Sequence, residues 1–304
     1  MNLPGDAADT LHSLAEISVK TGAYETAQGQ YLKALDLWRK VGNRRAEAIE
    51  LYNLGDVFEY EARYGAAVGS KSDAVKIFRE IGDKGAWLPK VLASYGSALG
   101  QIGQGAEAQK VLAEALPLAR DLKNDELIAR ILNTQGDAFY YQGDFAGARR
   151  QYEQATAIAG HAKLPPMSLI SKLNLARLSV LDGHAPLQAA VLETLGSDAE
   201  RLGLKFESVY CSLLAGESER LAKRNAAARD RLESALVQAD RLGARALLAH
   251  AHHQLSLLDA AEGNQAESRR HSENARQLLD AIRKDAREGV LERPDFKAML
   301  QHPD

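Results

Sequence analysis

Apolar stretches with helical periodicity recur along the chain at a spacing of about 40 residues. Each stretch contains a small residue, is followed by a turn that often contains glycine, and leads into a second stretch marked by alanines. This pattern predicts pairs of antiparallel helices, because a small side chain at a crossing lets two helices approach closely. The small residues of the seven repeats are Ala15, Gly55, Gly96, Gly136, Ala176, Gly216 and Ser256.

The predicted second helices keep the same phase over most of the chain. Repeat 5 departs from it, with Gln188 and Leu195 at alanine positions and Pro186 near the start of its second helix, where proline is tolerated. The constant spacing in the other repeats predicts that a large residue of each second helix packs beside the small residue of the first helix. The residues expected there are Tyr31, Leu112, Tyr152, Leu192 and Leu232.

Residues 132–159 resemble a unit of the tetratricopeptide repeat family, and the resemblance extends over about 7–278. The family's usual period is about 34 residues, so the longer spacing is similar to its long-helix variant. The resemblance implies an all-α, right-handed superhelical solenoid of about seven antiparallel helix pairs plus a C-terminal helix. The positions of residues 132–159 that match the family are Leu132, Gly136, Phe139, Gly143, Phe145, Ala148, Tyr152 and Ala155.

The same spacing divides the chain into an array and a tail. We expect the array over 1–280, followed by a capping helix and tail over 281–304, with a docking peptide for a partner as the alternative interpretation of the tail. The predicted units are 8–47, 48–88, 89–128, 129–168, 169–208, 209–248 and 249–280.

Composition narrows the classes of protein. Aromatic residues make up 6% of the chain and the net charge is -3, which suits long helices and disfavours a nucleic-acid partner. A single cysteine, Cys211, excludes a disulfide within one chain, and its helical surroundings indicate a buried thiol. The first ten residues lack the features of a signal peptide and no segment is apolar enough for membrane insertion, so we expect a cytoplasmic protein.

Catalytic chemistry has little support in the sequence. Phosphate-binding glycine loops and nucleophile-elbow motifs are absent, so no cofactor and no enzymatic activity are expected. His250 and His253 lie one helical turn apart and prompt a remote alternative, a metal-dependent enzyme. A polar helix face is the simpler interpretation, and no metal site is predicted.

In proteins of the resembled family the first helices line a concave groove, and an asparagine there often bonds the backbone of a bound peptide. Asn53 and Asn174 occupy the same repeat position, two residues before the small residue. Amide and tyrosine side chains suit peptide recognition because they combine donors, acceptors and contact area. The groove residues predicted from spacing are Tyr52, Asn53, Asp56, Tyr60, Asn133, Asp137, Tyr140, Tyr141, Asn174, Arg177, Tyr210, Glu217, Arg220 and His253.

These observations favour a protein-interaction scaffold or adaptor that binds a protein or peptide segment in the groove. A regulatory or sensor module of a larger bacterial signalling or transcription regulator is the alternative function. Leucine and valine residues at both ends of the array would also allow a homo-oligomer formed by end stacking.

Overall fold

The computed structural model describes residues 4–286 and 288–300 of the chain. Within these ranges it contains fifteen α-helices and no β-strand. Fourteen of the helices form seven consecutive antiparallel pairs, which confirms the predicted solenoid of helix pairs. The first helices of the pairs are α1 (Pro4–Lys20), α3 (Arg44–Tyr60), α5 (Trp87–Gln101), α7 (Asp125–Tyr141), α9 (Pro165–Ser179), α11 (Lys205–Leu221) and α13 (Arg245–Ala261).

The second helices pack against these and lead into the C-terminal helix α15 (Pro294–Leu300). A short π-helical turn over Val180–His184 joins the helices of pair 5, and a 3₁₀ turn over Glu288–Glu292 precedes α15. The second helices are α2 (Tyr24–Val41), α4 (Tyr64–Glu80), α6 (Gly105–Asp121), α8 (Phe145–His161), α10 (Ala185–Arg201), α12 (Asn225–Leu242) and α14 (Gln265–Ala286).

The small residues of the first helices lie where two helices cross. A methyl group added at Gly136 would overlap the ring of Tyr152 on α8. One added at Gly96 would approach Leu112 to 2.7 Å, which no relaxed contact allows. The close helix pairing therefore depends on the absence of a side chain at these positions.

The turns between paired helices also follow from the sequence. Gly143, between α7 and α8, has φ 78°, a left-handed conformation that glycine adopts without strain. The next residue, Asp144, caps α8 by accepting a hydrogen bond from the Gly147 N–H at 2.8 Å. The polypeptide is therefore reversed within a few residues and the two helices return side by side.

The last helix pairs lie against the first ones and enclose the groove. Leu242 at the end of α12 covers Gly22 in the first turn, and the Asp285 carboxylate accepts a hydrogen bond from the Gly65 N–H at 2.7 Å. The ring of Tyr60 on α3 lies 5.5 Å from that of Phe206 on α11. The array thus surrounds its inner face instead of leaving an open concave surface.

The predicted unit boundaries fall a few residues inside the first helices of the pairs. The predicted start at residue 129, for example, lies within α7, which begins at Asp125. The predicted division after residue 280 lies within α14, which continues to Ala286. The offset arises because the repeats align on the small residues where helices cross, whereas the helices themselves begin several residues earlier, at caps and turns.

Candidate binding groove

The enclosed inner face of the solenoid contains a cavity of about 330 Å³, which we call the central cavity. The first helices of pairs 2 to 7 line it, together with the C-terminal segment, defined as residues 288–300. On α7 the lining residues are Arg130, Thr134, Asp137 and Tyr141, three or four positions apart. This spacing places them in one stripe along the helix, so each first helix presents a single face to the groove.

A second cavity of about 180 Å³ lies beside the central one and shares part of its wall. Eight of the residues predicted for the groove line the central cavity: Tyr52, Asp56, Tyr60, Asp137, Tyr141, Asn174, Arg177 and Tyr210. The residues predicted for the groove that line only the second cavity are Tyr140, Glu217, Arg220 and His253.

Two predicted groove residues, Asn53 and Asn133, line neither cavity. Asn133 is buried between helices, where its amide donates to the Ser171 hydroxyl at 2.9 Å. On α3 the cavity stripe includes Tyr52 and Asp56, and Asn53 lies about 100° around the helix from Tyr52. Neither asparagine therefore lies on a cavity wall.

A buried lysine supports the cavity wall in pair 2. Lys71 on α4 is fully buried beneath Gly55, and its ammonium contacts the carboxylates of Asp56, at 2.9 Å, and Glu59. Burial alone would raise the pKa of Asp56, but the neighbouring ammonium lowers it below its usual value; the pKa of Glu59 stays raised because burial dominates there. The sequence carried a signal that the groove prediction missed, a lysine at the position where α2, α6, α8, α10 and α12 carry leucine or tyrosine.

A comparable network supports the wall between pairs 4 and 5. The Tyr152 hydroxyl donates to Asp137 at 2.7 Å, and Arg177 donates to Asp137 at 3.0 Å and to the Tyr152 oxygen at 2.7 Å. The Arg177 guanidinium also lies 3.7 Å from the ring centre of Tyr140. These contacts hold Asp137 and Arg177 in place on the cavity wall. Because their opposite charges balance, the pair shapes the wall without adding net charge to it.

Asn174 is the asparagine of the predicted groove that lines the central cavity. The residue is 7% exposed and lines the central cavity, yet its side chain makes no hydrogen bond to any described residue. An amide presented to a cavity in this way provides one donor and one acceptor for a bound molecule.

Glu207 places an unpaired carboxylate at the aromatic side of the cavity. It follows Phe206 at the start of α11, lines the cavity, and forms no ion pair with a described residue. Burial raises the pKa of Glu207. Together with Asp56 and Glu59, which share one lysine, Glu207 places three carboxyl groups on the cavity wall.

The histidines of α13 lie in two different environments. The His250 ring lies 3.1 Å from Glu217, between the two cavities, and lowers the pKa of that carboxylate, which burial alone would raise. His252 faces away, and its Nδ1 lies 2.7 Å from Nδ1 of His271 on α14. Among the described residues, no group of three or more His, Cys, Asp or Glu side chains lies in position to hold a metal ion.

Two expectations from composition concern Cys211 and membrane insertion. Cys211 is fully buried on α11, and burial raises the pKa of its thiol to about 12, so the thiol is a packed core group as predicted. None of the described helices has the length and apolar character needed to cross a membrane.

With the helix pairs and the enclosed groove defined, the molecule belongs structurally to the helical-repeat solenoids. The model of the tetratricopeptide repeat matches residues 6–80 and 88–160, which together are just under half of the chain. The comparison with curated proteins gives no match. The matches support the resemblance to this repeat family, while its long-helix variant stays a prediction.

Several solved structures share the fold over most of the chain. A Rap protein complexed with Competence and Sporulation Factor has a TM-score of 0.75 and 14% identity, covering 93% of this chain and 78% of that one. The Rap conjugation gene regulator of the plasmid pLS20, in complex with a Phr peptide, has a TM-score of 0.72 and 16% identity, covering 93% and 74%. Aspartyl phosphate phosphatase F from Bacillus subtilis has a TM-score of 0.65 and 13% identity, covering 90% and 70%. At these identities the similarity concerns the fold.

Proposed function

We propose that this protein binds a short peptide, or an extended segment of a partner protein, in the central cavity and acts through that binding. The observation that carries the proposal is Asn174, a residue only 7% exposed that lines the central cavity and whose amide makes no hydrogen bond to a described residue. A peptide group matches such an amide because it offers one acceptor and one donor. The cavity volume of about 330 Å³ lies near the lower end of the range for ligand sites, roughly 300 to 1,000 Å³.

The fold adds support of a different kind. Two of the similar structures are complexes, one of a Rap protein with Competence and Sporulation Factor and one of a Rap conjugation gene regulator with a Phr peptide. Because first helices from six pairs line the cavity, a bound segment would be contacted from several sides. Scaffold, adaptor and regulator are all compatible with this mode of binding.

The experiment starts from a displayed library of random heptapeptides selected on the wild-type chain. Affinities of the selected peptides are then measured by fluorescence anisotropy for wild type, Asn174→Ala and Asn53→Ala. We expect Asn174→Ala to weaken binding about ten-fold or more, equivalent to about 1.4 kcal/mol, because the cavity loses its free amide.

Asn53→Ala is the matched control, since it removes the same side chain at the same repeat position outside the cavity. It should leave the affinities within about two-fold of wild type. Selected peptides that bind Asn174→Ala as tightly as wild type, or a library from which no peptide is selected, would contradict the proposal.

A peptide-responsive regulator is the second candidate, favoured by the fold similarity to the Rap conjugation gene regulator of the plasmid pLS20 in complex with a Phr peptide. Such a protein must change shape when it binds, because a ligand shifts an equilibrium only through different affinities for two states. Spin labels on Thr26→Cys of pair 1 and Asp240→Cys of pair 6, which lie on either side of the surface where these two pairs meet, would report the change. An unchanged distance distribution on peptide binding would favour a rigid scaffold.

A further inference from the structure

The C-terminal segment lies inside the groove and divides it. Asp295 and Met299 of α15 line both the central and the second cavity, as do Arg177, Tyr210 and His250 of the surrounding helices. The two cavities therefore share one wall, and α15 is part of that wall. Without α15 they would form one continuous groove along the first helices.

Arg293 anchors this segment in an aromatic socket. Its guanidinium carbon lies 5.4 Å from the ring centre of Tyr64 on α4 and 4.3 Å from that of Tyr141 on α7. Arg293 is only 5% exposed, and Phe296 of the same segment covers it at 4.1 Å. A cation enclosed by aromatic faces is a recurrent form of side-chain recognition, and arginine is its most frequent occupant.

The segment carries its own counter-charge. Arg293 donates to both carboxylate oxygens of Asp295, at 3.1 and 2.6 Å, and the exposed Lys297 pairs with Glu292. Both ion pairs lie within residues 288–300. Departure of the segment would therefore leave no unpaired charge behind on the walls of the groove, unlike removal of Lys71 or Arg177.

We infer that the socket formed by Tyr64 and Tyr141 is a binding site for the arginine of a peptide segment, and that the chain's own C-terminal segment occupies it as an internal ligand. The ligand class is an arginine followed by proline, an acidic residue and an aromatic residue, as in Arg293–Phe296. This inference rests on the proposed peptide-binding function. It adds that a partner segment must compete with a tethered one, whose effective concentration is on the order of millimolar.

The test uses full-length chains and a fluorescent synthetic peptide with the sequence of residues 288–300. The loosened variant is Arg293→Ala with Phe296→Ala, and the control is Lys297→Ala, which alters the exposed side of α15. We expect the peptide to bind the loosened variant at least ten-fold more tightly than it binds wild type or the control. A peptide carrying Arg293→Ala should lose at least ten-fold on the loosened variant.

Equal binding to wild type and to a folded loosened variant would overturn the inference, as would absence of binding to both. If the loosened variant fails to fold, hydrogen exchange of the ¹⁵N-labelled wild type supplies the decision. Excess unlabelled peptide should then accelerate exchange of the labelled segment several-fold, and unchanged exchange would reject the inference.

The inference and the proposed function can fail separately. A library peptide that binds through Asn174 without competing with the 288–300 peptide would retain the proposed function and exclude an exchangeable C-terminal segment. Competition between the two peptides, lost with Tyr64→Ala and Tyr141→Ala, would support both.

Discussion

Pairs 2 and 4 fill the same space beneath a first-helix glycine with different residues. Lys71 occupies it under Gly55, and Tyr152 occupies it under Gly136. Both side chains bring a polar atom to the carboxylate that follows the glycine, so the groove wall is held from behind in both pairs. The equivalent residues in pairs 3 and 6, Leu112 and Leu232, supply apolar packing alone.

This comparison separates two roles of one repeat position. The volume at the crossing is needed everywhere, because the two helices must remain in contact. A polar tip accompanies Asp56 and Asp137, which line the central cavity. In pair 6 the acidic residue after the glycine, Glu217, lies over the apolar Leu232 and is partnered by His250 instead. The stability lost on removing the polar atom should therefore differ from the stability lost on disturbing the volume at the crossing. Three substitutions test this difference.

Lys71→Met should have the largest effect. It keeps the volume but leaves Asp56 and Glu59 without their cation, and removing one partner of a buried pair costs about 3–5 kcal/mol. We expect the low end, about 3 kcal/mol, because both carboxylates also reach the cavity. Urea unfolding followed by circular dichroism measures the change.

Two further variants sharpen that result. Lys110→Met, at an exposed lysine of α6, should change the free energy of unfolding by less than about 0.5 kcal/mol. Adding Asp56→Asn and Glu59→Gln to Lys71→Met should recover most of the lost stability. If Lys71→Met and Lys110→Met unfold alike, the lysine is not holding the wall.

Gly136→Ala should rank second. The added methyl group meets the rigid Tyr152 ring, and overpacking of this kind costs about 1–3 kcal/mol. Gly55→Ala should cost a similar amount, because the added methyl group meets the Lys71 Cγ at 2.5 Å and the lysine cannot move without disturbing its ion pairs with Asp56 and Glu59. Gly29→Ala on α2, where a methyl group meets nothing within 4 Å, should instead stabilise by about 0.5–1 kcal/mol. A Gly29→Ala loss as large as that of Gly136→Ala would refute the crossing argument.

Tyr152→Phe should have the smallest effect of the three. It keeps the ring at the crossing and removes only the hydroxyl that bonds Asp137 and Arg177, which remain paired at 3.0 Å. The expected loss is about 1 kcal/mol. Tyr31→Phe is the matched control at the same repeat position, because the Tyr31 hydroxyl makes no hydrogen bond to a described residue. It should leave the free energy of unfolding nearly unchanged. Equal melting temperatures for the two variants would show that the hydroxyl network adds no stability.

Helical spacing alone decides which face of a first helix points toward the central cavity. Tyr52, Asp56 and Asp137 follow that rule. Asn53 and Asn174 show its limit, because they share a repeat position and only Asn174 lines the cavity. On α3 the neighbouring Tyr52 lines the cavity instead of Asn53. A single alignment of the repeats cannot predict such differences between helices.

The sequence by itself determined the helix pairs, their crossings and the side of each first helix that faces inward. These features follow from contacts between residues close in the chain, which small residues and turns encode locally. The tertiary structure alone decided that the last pairs meet the first and that the C-terminal segment enters the groove. Contacts such as Gly65 with Asp285, or Tyr64 with Arg293, join residues more than 200 positions apart. A repeat pattern specifies each step of the solenoid, but the closure depends on the accumulated rotation of all seven pairs.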